Sequence, residues 1–314
     1  MYQGIVMKST GSWYDIRLED GRHINGRVGG KLRLDDLKTT NPIAVGDKVI
    51  VESDVNSDFV IREVVPRINY VVRQSPRKKH NLHLIASNVD QAVVIVTMVE
   101  PNLKQGFIDR FLMMTEPYNI PVIIVFNKAD LYDEEHLIYY NYLHTLYTSI
   151  GYEVFITSMV TGQNIDLLKV KLIGKTTLIA GQSGVGKSSL LNALEPDLDL
   201  RTGELSEYSG KGQHTTTFAE MHELSFGGFI IDTPGIKALA FNNLEVMDVA
   251  HNFREFFILS ADCKFSDCSH RNEPKCAVKE ALEKGEISEL RYGNYLSIIQ
   301  EIENQNYWEV HNEV

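Results

Sequence analysis

Near the middle of the chain, Gly181 to Ser188 (GQSGVGKS) has the residue types and spacing of a phosphate cradle. The segment fits G-x-x-x-x-G-K-[ST] and lies between an apolar run, Thr176 to Ala180, that predicts a strand and Ser189 to Leu194, which predicts a helix. Its glycines permit the sharp turn and let amides approach an anion. The backbone from Gly181 through Gln182, Ser183, Gly184, Val185, Gly186, Lys187 and Ser188 to Ser189 can then wrap phosphates, helped by the positive end of the helix. Lys187 reaches the β- and γ-phosphates, in binding and in the transfer step, and Ser188 offers a hydroxyl to Mg²⁺.

A phosphate cradle alone does not choose a base. Asn127-Lys128-Ala129-Asp130 does, because it follows directly on the apolar run Pro121 to Phe126. Asp130 can accept from N1–H and the exocyclic amino group of guanine, a donor pair that adenine lacks. Asn127 can hold the ring, and the Lys128 stem can pack over it. Recognition built on such hydrogen bonds rejects a mismatched analogue by ~10⁴. After the run Glu153 to Ile156, the loop Thr157-Ser158-Met159 can back the base with its amides, so Ser158 joins the expected site. Asp232-Thr233-Pro234-Gly235 ends the run Gly228 to Ile231. There Asp232 can hold Mg²⁺ through water, and the Gly235 amide can sense the γ-phosphate. Between the cradle and this turn, the Gly-rich stretch Ser209 to Thr217 supplies hydroxyls for the metal and forms a first switch.

The order of these motifs carries information. An ordinary GTPase places its cradle first, then DxxG, then NKxD, whereas here Asn127 and Ser158 precede Gly181 and Asp232. The expected domain is circularly permuted, which a sheet tolerates where the natural termini lie close together at the surface. Beyond it, Cys263, Cys268, His270 and Cys276 form C-x₄-C-x-H-x₅-C and use every cysteine of the chain. Three thiolates and an imidazole make a complete tetrahedral zinc set of the closed, structural kind.

The elements that must position these groups can be read from texture. Residues 1 to 66 show short strand runs, Gln3 to Lys8, Trp13 to Leu18, Lys48 to Glu52 and Phe59 to Val65. Turn-rich pieces such as Thr10-Gly11-Ser12 and Asn25-Gly26 break them, predicting a small β-barrel of the oligonucleotide-binding type. In it Trp13 and Tyr14 are either stacking residues or core, beside Arg17, Arg22, Arg27, Lys31 and Arg33. Arg67 to His80 reads as a basic connector. From Gln91, apolar strands alternate with amphipathic helical stretches, predicting a mostly parallel sheet covered on both faces, with one hairpin over Phe218 to Ile231. This α/β GTPase domain is expected over 67–239 and a helical zinc-binding domain over 240–314. The 314 residues are ample for such cores. A net charge of −11 argues against nonspecific attraction to nucleic acid, although residues 1–80 alone carry +4. With three cysteines and no apolar signal core, the expected compartment is a reducing cytoplasm, and no apolar run approaches the roughly 20 residues of a membrane span.

Barrel, NKAD, GQSGVGKSS, the His214-Thr215-Thr216-Thr217 stretch, DTPG and the Cys/His pattern occur here in one order. In that order the chain resembles the circularly permuted GTPases called ribosome small subunit-dependent GTPase A, bacterial factors in late assembly of the small ribosomal subunit. The resemblance covers nearly the whole chain. It implies a monomeric GTP hydrolase, with Mg²⁺ and one structural Zn²⁺, that grips the small subunit and its rRNA and is stimulated by it. Many GTPases carry a water-orienting Gln just after DxxG, but Ile236 stands there and cannot orient water. By resemblance that role falls to His214, with Gln213 as a rival, and Thr216 is the threonine expected at Mg²⁺ and the γ-phosphate. Two other readings stand beside this one: a P-loop ATPase, disfavoured by Asp130, and a GTP-gated RNA-binding module with negligible turnover, motivated by Ile236.

Overall fold

The structure, a computed structural model, describes residues 1–29, 41–53, 59–74, 82–198, 219–233, 241 and 244–311. Its first five strands close on themselves. β1 (Tyr2–Ser9), β2 (Tyr14–Leu18), β3 (His23–Val28), β4 (Lys48–Ser53) and β5 (Phe59–Val64) run in the order β1-β2-β3-β5-β4, and β4 returns to pair with β1. Period-two alternation turns Tyr14, Ile16 and Leu18 of β2 into the barrel core with Val6, Val49, Val51 and Ile61. Of the two aromatic residues expected to stack or pack, Tyr14 is core at 2% exposure and Trp13 is 42% exposed. A second expectation needs correction: Asn25-Gly26 is not a turn but lies within β3. A Cβ on Gly26 would sit 2.8 Å from Ile16 Cδ1, so the glycine makes room for a core isoleucine.

The connector expected after the barrel is partly strand. β6 (Tyr70–Gln74) pairs antiparallel with β7 (Leu82–Ser87), and Arg67 is buried, donating to both carboxylate oxygens of Asp47 at 2.7 Å. The first cation of that connector is therefore a buried brace between barrel and hairpin, held by a bidentate pair.

β8 (Gln91–Val96), β9 (Val122–Phe126), β10 (Glu153–Ile156), β11 (Thr176–Gly181) and β13 (Phe229–Asp232) form a parallel sheet in the order β10-β9-β8-β11-β13, with β12 (Glu220–Glu223) antiparallel at its end. Burial on both faces explains the unbroken apolar runs. In β8, Ala92, Val94 and Val96 enter one core, and Val93 and Ile95 enter the other. α1 (Gly106–Thr115) and α2 (Glu134–Ser149) cover the first face through Phe111, Leu112, Leu143 and Tyr147. α3 (Ile165–Leu172) and α4 (Lys187–Leu194) cover the second through Leu168, Leu172, Leu190 and Leu191. β1 also pairs with β12 through Lys8 and Glu220, so barrel and α/β sheet form one continuous eleven-stranded sheet.

The C-terminal part holds α5 (Val246–Asn252), α6 (Arg254–Ser260), α7 (Ala277–Glu283) and α8 (Glu289–His311). α5 and α6 meet at Phe253, whose ring is 1% exposed. Its backbone is extended there, which turns α6 so that Phe256 packs on Tyr295. α8 docks on α1 through buried charges. Arg291 donates to Asp109 Oδ1 at 2.5 Å and, through Nε and Nη2, to both Glu255 oxygens at 2.8 and 2.9 Å. Asn294 donates to Gln105 and Asp109, and Arg254 forms a second clasp onto Glu116.

Candidate functional site

The expected phosphate residues lie at the C-terminal end of the parallel strands, where open α/β sheets place their ligands. β11 ends in Gly181, where a Cβ would lie 2.8 Å from the Ile95 carbonyl oxygen, so the first turn of the loop can approach β8 only without a side chain. Gly184 and Gly186 take φ of +85° and +86°, left-handed values that suit glycine. α4 then begins at Lys187, with Ser188 and Ser189 in its first turn, and its N-terminal amides follow directly on the loop. Lys187 Nζ contacts Asp232 Oδ1 and donates to the Thr233 carbonyl at 3.2 Å. Thr233 in turn donates its hydroxyl to the Ile179 carbonyl at 2.8 Å, which fixes the end of β13 against β11. The structure thus brings Lys187 and Asp232 together, and Ser188 follows Lys187 in the first turn of α4. Ser188 and Asp232 supply a hydroxyl and a carboxylate, hard oxygen donors of the kind Mg²⁺ takes.

Asn127 joins this loop to the expected base turn. Its Nδ2 donates to the Val185 carbonyl at 3.0 Å, and its Oδ1 accepts from Thr157 Oγ1 at 3.0 Å. The residue is fully buried and both ends of its amide are used. A Cβ on Gly186 would stand 2.6 Å from Asn127 Nδ2, so the second function of that glycine is to admit the asparagine. Asp130 is exposed and accepts from Ser158 Oγ at 2.5 Å, and the Ala129 amide donates to the Thr157 carbonyl at 3.0 Å. Asn127, Lys128, Asp130 and Ser158 therefore converge on one rim.

Three contacts at this rim are not visible in the sequence. Tyr132 donates to the Asn127 carbonyl at 2.7 Å and accepts from the Met98 amide at 3.1 Å, and burial pushes its phenol above the ordinary range, keeping it a donor. Lys128, itself at φ +65°, sends Nζ to the Glu100 carbonyl at 2.5 Å. Pro101 Cδ would be 3.3 Å from a Cβ on Gly184. The 97–105 loop after β8 thus braces both the base turn and the phosphate loop. Gly235, His214, Thr216, Gln213 and Ile236 lie outside the described residues.

The four residues of the expected metal set do meet. Their ligand atoms all lie within 4.8 Å of one another, and Cys268, His270 and Cys276 are buried. Cys263 Sγ is 4.0 Å from Cys276 Sγ, and His270 Nδ1 is 3.6 and 3.4 Å from these two sulfurs. For metal–sulfur bonds of about 2.3 Å, a tetrahedron has edges of about 3.8 Å, so the cluster has the size of a metal shell. Burial pushes the Cys268 thiol up to about 12 and holds His270 below its ordinary value, so the imidazole is neutral, the form that ligates. His270 Nε2 is buried with no hydrogen-bond partner. That fits a ring oriented by a bond at Nδ1 rather than by hydrogen bonding. Around the cluster, Tyr292 and Tyr295 of α8 donate to the His270 and Ser269 carbonyls, each at 2.7 Å. Glu273 accepts from the Ser269 hydroxyl and from the amides of Ser269, Arg271 and Asn272. This arrangement can hold a metal ion.

Comparison with known proteins gives consistent results. A family model described as RsgA GTPase matches residues 64–242, and one described as RsgA N-terminal domain matches residues 3–61. A protein of Bacteroides fragilis named small ribosomal subunit biogenesis GTPase RsgA is 45% identical over 97% of this chain and 98% of its own length. A protein of the same name from Christiangramia forsetii is 47% identical over the same shares. The crystal structure of YjeQ from Thermotoga maritima superposes with a TM-score of 0.77 at 37% identity, covering 96% of this chain and 98% of that one. That of YloQ, described as a circularly permuted GTPase, gives 0.71 at 28% identity, covering 97% and 96%.

Proposed function

This chain belongs to the RsgA GTPase family, and from that premise we propose how its residues bind GTP, hydrolyse it and act on the small ribosomal subunit. It is a circularly permuted GTPase of small-subunit biogenesis. In the proposed cycle the GTP form docks on the subunit and its rRNA, the subunit stimulates hydrolysis to GDP and phosphate, and the GDP form leaves. The division into residues 1–66, 67–239 and 240–314, a monomeric state and a cytoplasmic setting belong to the same reading. Among the described residues no helix is long and apolar enough to cross a membrane.

The observation that carries the nucleotide assignment is the Asn127 amide, which ties the base turn to the phosphate loop through the Val185 carbonyl. One nucleotide then spans from Asp130 to Lys187. Asp130, hydrogen-bonded to Ser158, reads the guanine edge, and the Lys128 stem covers the ring. The amides from Gln182 to Ser189 enclose the phosphates. Lys187 exchanges its contact with Asp232 for the β- and γ-phosphates, and Asp232, released from it, would help hold Mg²⁺. Ser188 and Thr216 would complete the magnesium set, and bound Mg²⁺ supplies charge neutralisation at the transferring phosphate. The Gly235 amide senses the γ-phosphate, and His214 orients the attacking water in place of Ile236. The Cys263, Cys268, His270 and Cys276 site holds one structural Zn²⁺ that closes the turn between α6 and α7.

Base recognition has a direct test. Asp130→Asn exchanges a two-oxygen acceptor for an amide that matches xanthine, so competition against labelled GTP should shift from guanine toward xanthine nucleotides by more than about 100-fold. An unchanged base preference, or effective competition by ATP against the wild type, would remove Asp130 from the site.

A further inference from the structure

The junction between barrel and α/β sheet places an ordered row of charges beside the phosphate site. β1 meets β12 with Lys8 opposite Glu220, and Lys8 Nζ donates to Glu220 Oε2 at 2.8 Å. β12 meets β13 with Glu220 opposite Asp232, and Asp232 contacts Lys187. Residues directly opposed in antiparallel pairs point to the same face with Cβ atoms about 5 Å apart. Lys8, Glu220, Asp232 and Lys187 therefore follow one another across the sheet with charges plus, minus, minus, plus.

Glu220 is the neighbour of Asp232 with the same sign, and a cation from the barrel neutralises it. The other charges nearby are engaged elsewhere. Asp15, opposite Lys8 on β2, is within 3.1 Å of His23 Nδ1. Arg17 pairs with Glu223 at 2.8 Å, and alternation turns Glu223 to the opposite face of β12 from Glu220. Lys8 and Glu220 are each about a third exposed, so their field reaches Asp232 through partly solvated space.

On the reading above, in which Asp232 faces Mg²⁺, we propose that Lys8 and Glu220 are positioning residues for the metal. Lys8 masks the Glu220 carboxylate, and the balance between the two sets the potential at Asp232. The barrel thereby adjusts how tightly the α/β domain holds magnesium and, with it, nucleotide. Neither residue touches the nucleotide, and both act through Asp232.

The experiment exploits the opposite signs of two substitutions that break the same ion pair. Release of a fluorescent, non-hydrolysable GTP analogue from the full-length chain is followed at graded Mg²⁺ and low salt. Lys8→Gln leaves Glu220 unmasked, and the Mg²⁺ concentration that half-slows release should fall about 3- to 10-fold, the size expected for a unit charge acting on a divalent ion across about 8 Å of screened space. Glu220→Gln leaves Lys8 unmatched, and the same concentration should rise by a similar factor. Both effects should shrink toward the wild type at about 1 M salt. In the exchanged pair, Lys8→Glu with Glu220→Lys, a mere brace is rebuilt and would behave as wild type, whereas a cation standing nearer Asp232 than its new anionic partner should raise the Mg²⁺ requirement above the wild type, though by less than Glu220→Gln does. Shifts of the two single variants in the same direction, no shift, or full recovery in the exchanged pair would overturn the proposal. A wild type whose release ignores Mg²⁺ would overturn the assignment of Asp232 itself.

Discussion

Replacing Gly186 by alanine tests the junction of base turn and phosphate loop, and the structure supplies its magnitude. At φ +86° a Cβ costs about 1–2 kcal/mol of backbone strain. The same Cβ would stand 2.6 Å from Asn127 Nδ2, a distance the buried amide relieves by giving up its bond to the Val185 carbonyl. An unsatisfied buried donor adds about 1–3 kcal/mol. The total, about 2–5 kcal/mol, corresponds to roughly 30- to several-thousand-fold in a binding constant. Strain that the loop escapes by moving is restored on binding and lost from affinity, whereas strain it cannot escape lowers stability. Equilibrium titration with a fluorescent GTP analogue and urea unfolding are therefore measured together and their losses added. Gly184→Ala is the control: its φ of +85° carries the same strain, but its nearest neighbour is Pro101 Cδ at 3.3 Å, a side-chain atom that can shift. Its combined loss should be about 1–2 kcal/mol. A combined loss below about 1 kcal/mol for Gly186→Ala, or an equal loss in the control, would refute the argued role of Asn127.

Two further predictions concern the C-terminal helices. Arg291→Met removes the cation between Asp109 and Glu255 and leaves two carboxylates uncompensated in the interior, so urea unfolding should show a loss of about 3–5 kcal/mol; a loss under about 1 kcal/mol would mean the pair is not the clasp described. The purified chain should carry about one zinc per molecule by a colorimetric chelator assay, and Cys268→Ser should abolish it and lower the melting temperature while GTP binding persists. Full metal retention by that variant would remove Cys268 from the site.

How far the sequence foretold the structure depended on whether a residue's part is played locally. The strand-helix alternation from Gln91 onward was legible because burial on both faces writes itself as continuous apolar runs. The Cys/His set was legible because its spacing is itself the chemistry. β3 was hidden because Asn25-Gly26 is a strong local turn signal, whereas Gly26 is dictated by Ile16, ten residues away on another strand. Arg67 read only as the start of a basic connector, and Arg291 gave no signal, because their carboxylate partners, Asp47 and Asp109, are distant in the chain. Tyr132 gave no signal, since its contacts with Asn127 and Met98 depend on how the base turn and the 97–105 loop meet in space. Local periodicity records burial, but it does not record which distant group a buried polar side chain satisfies.

The central claim is that this nucleotide site is a GTPase switched on by the small ribosomal subunit. The most direct measurement is phosphate release from GTP by the purified chain, alone and with isolated small subunits, beside Lys187→Ala and His214→Ala proteins in the same preparation. The account predicts slow turnover alone, strong stimulation by the subunits, loss of activity in Lys187→Ala, and nucleotide binding without stimulation in His214→Ala. Turnover that the subunits leave unchanged while GTP stays bound would contradict it and favour a GTP-gated binding module.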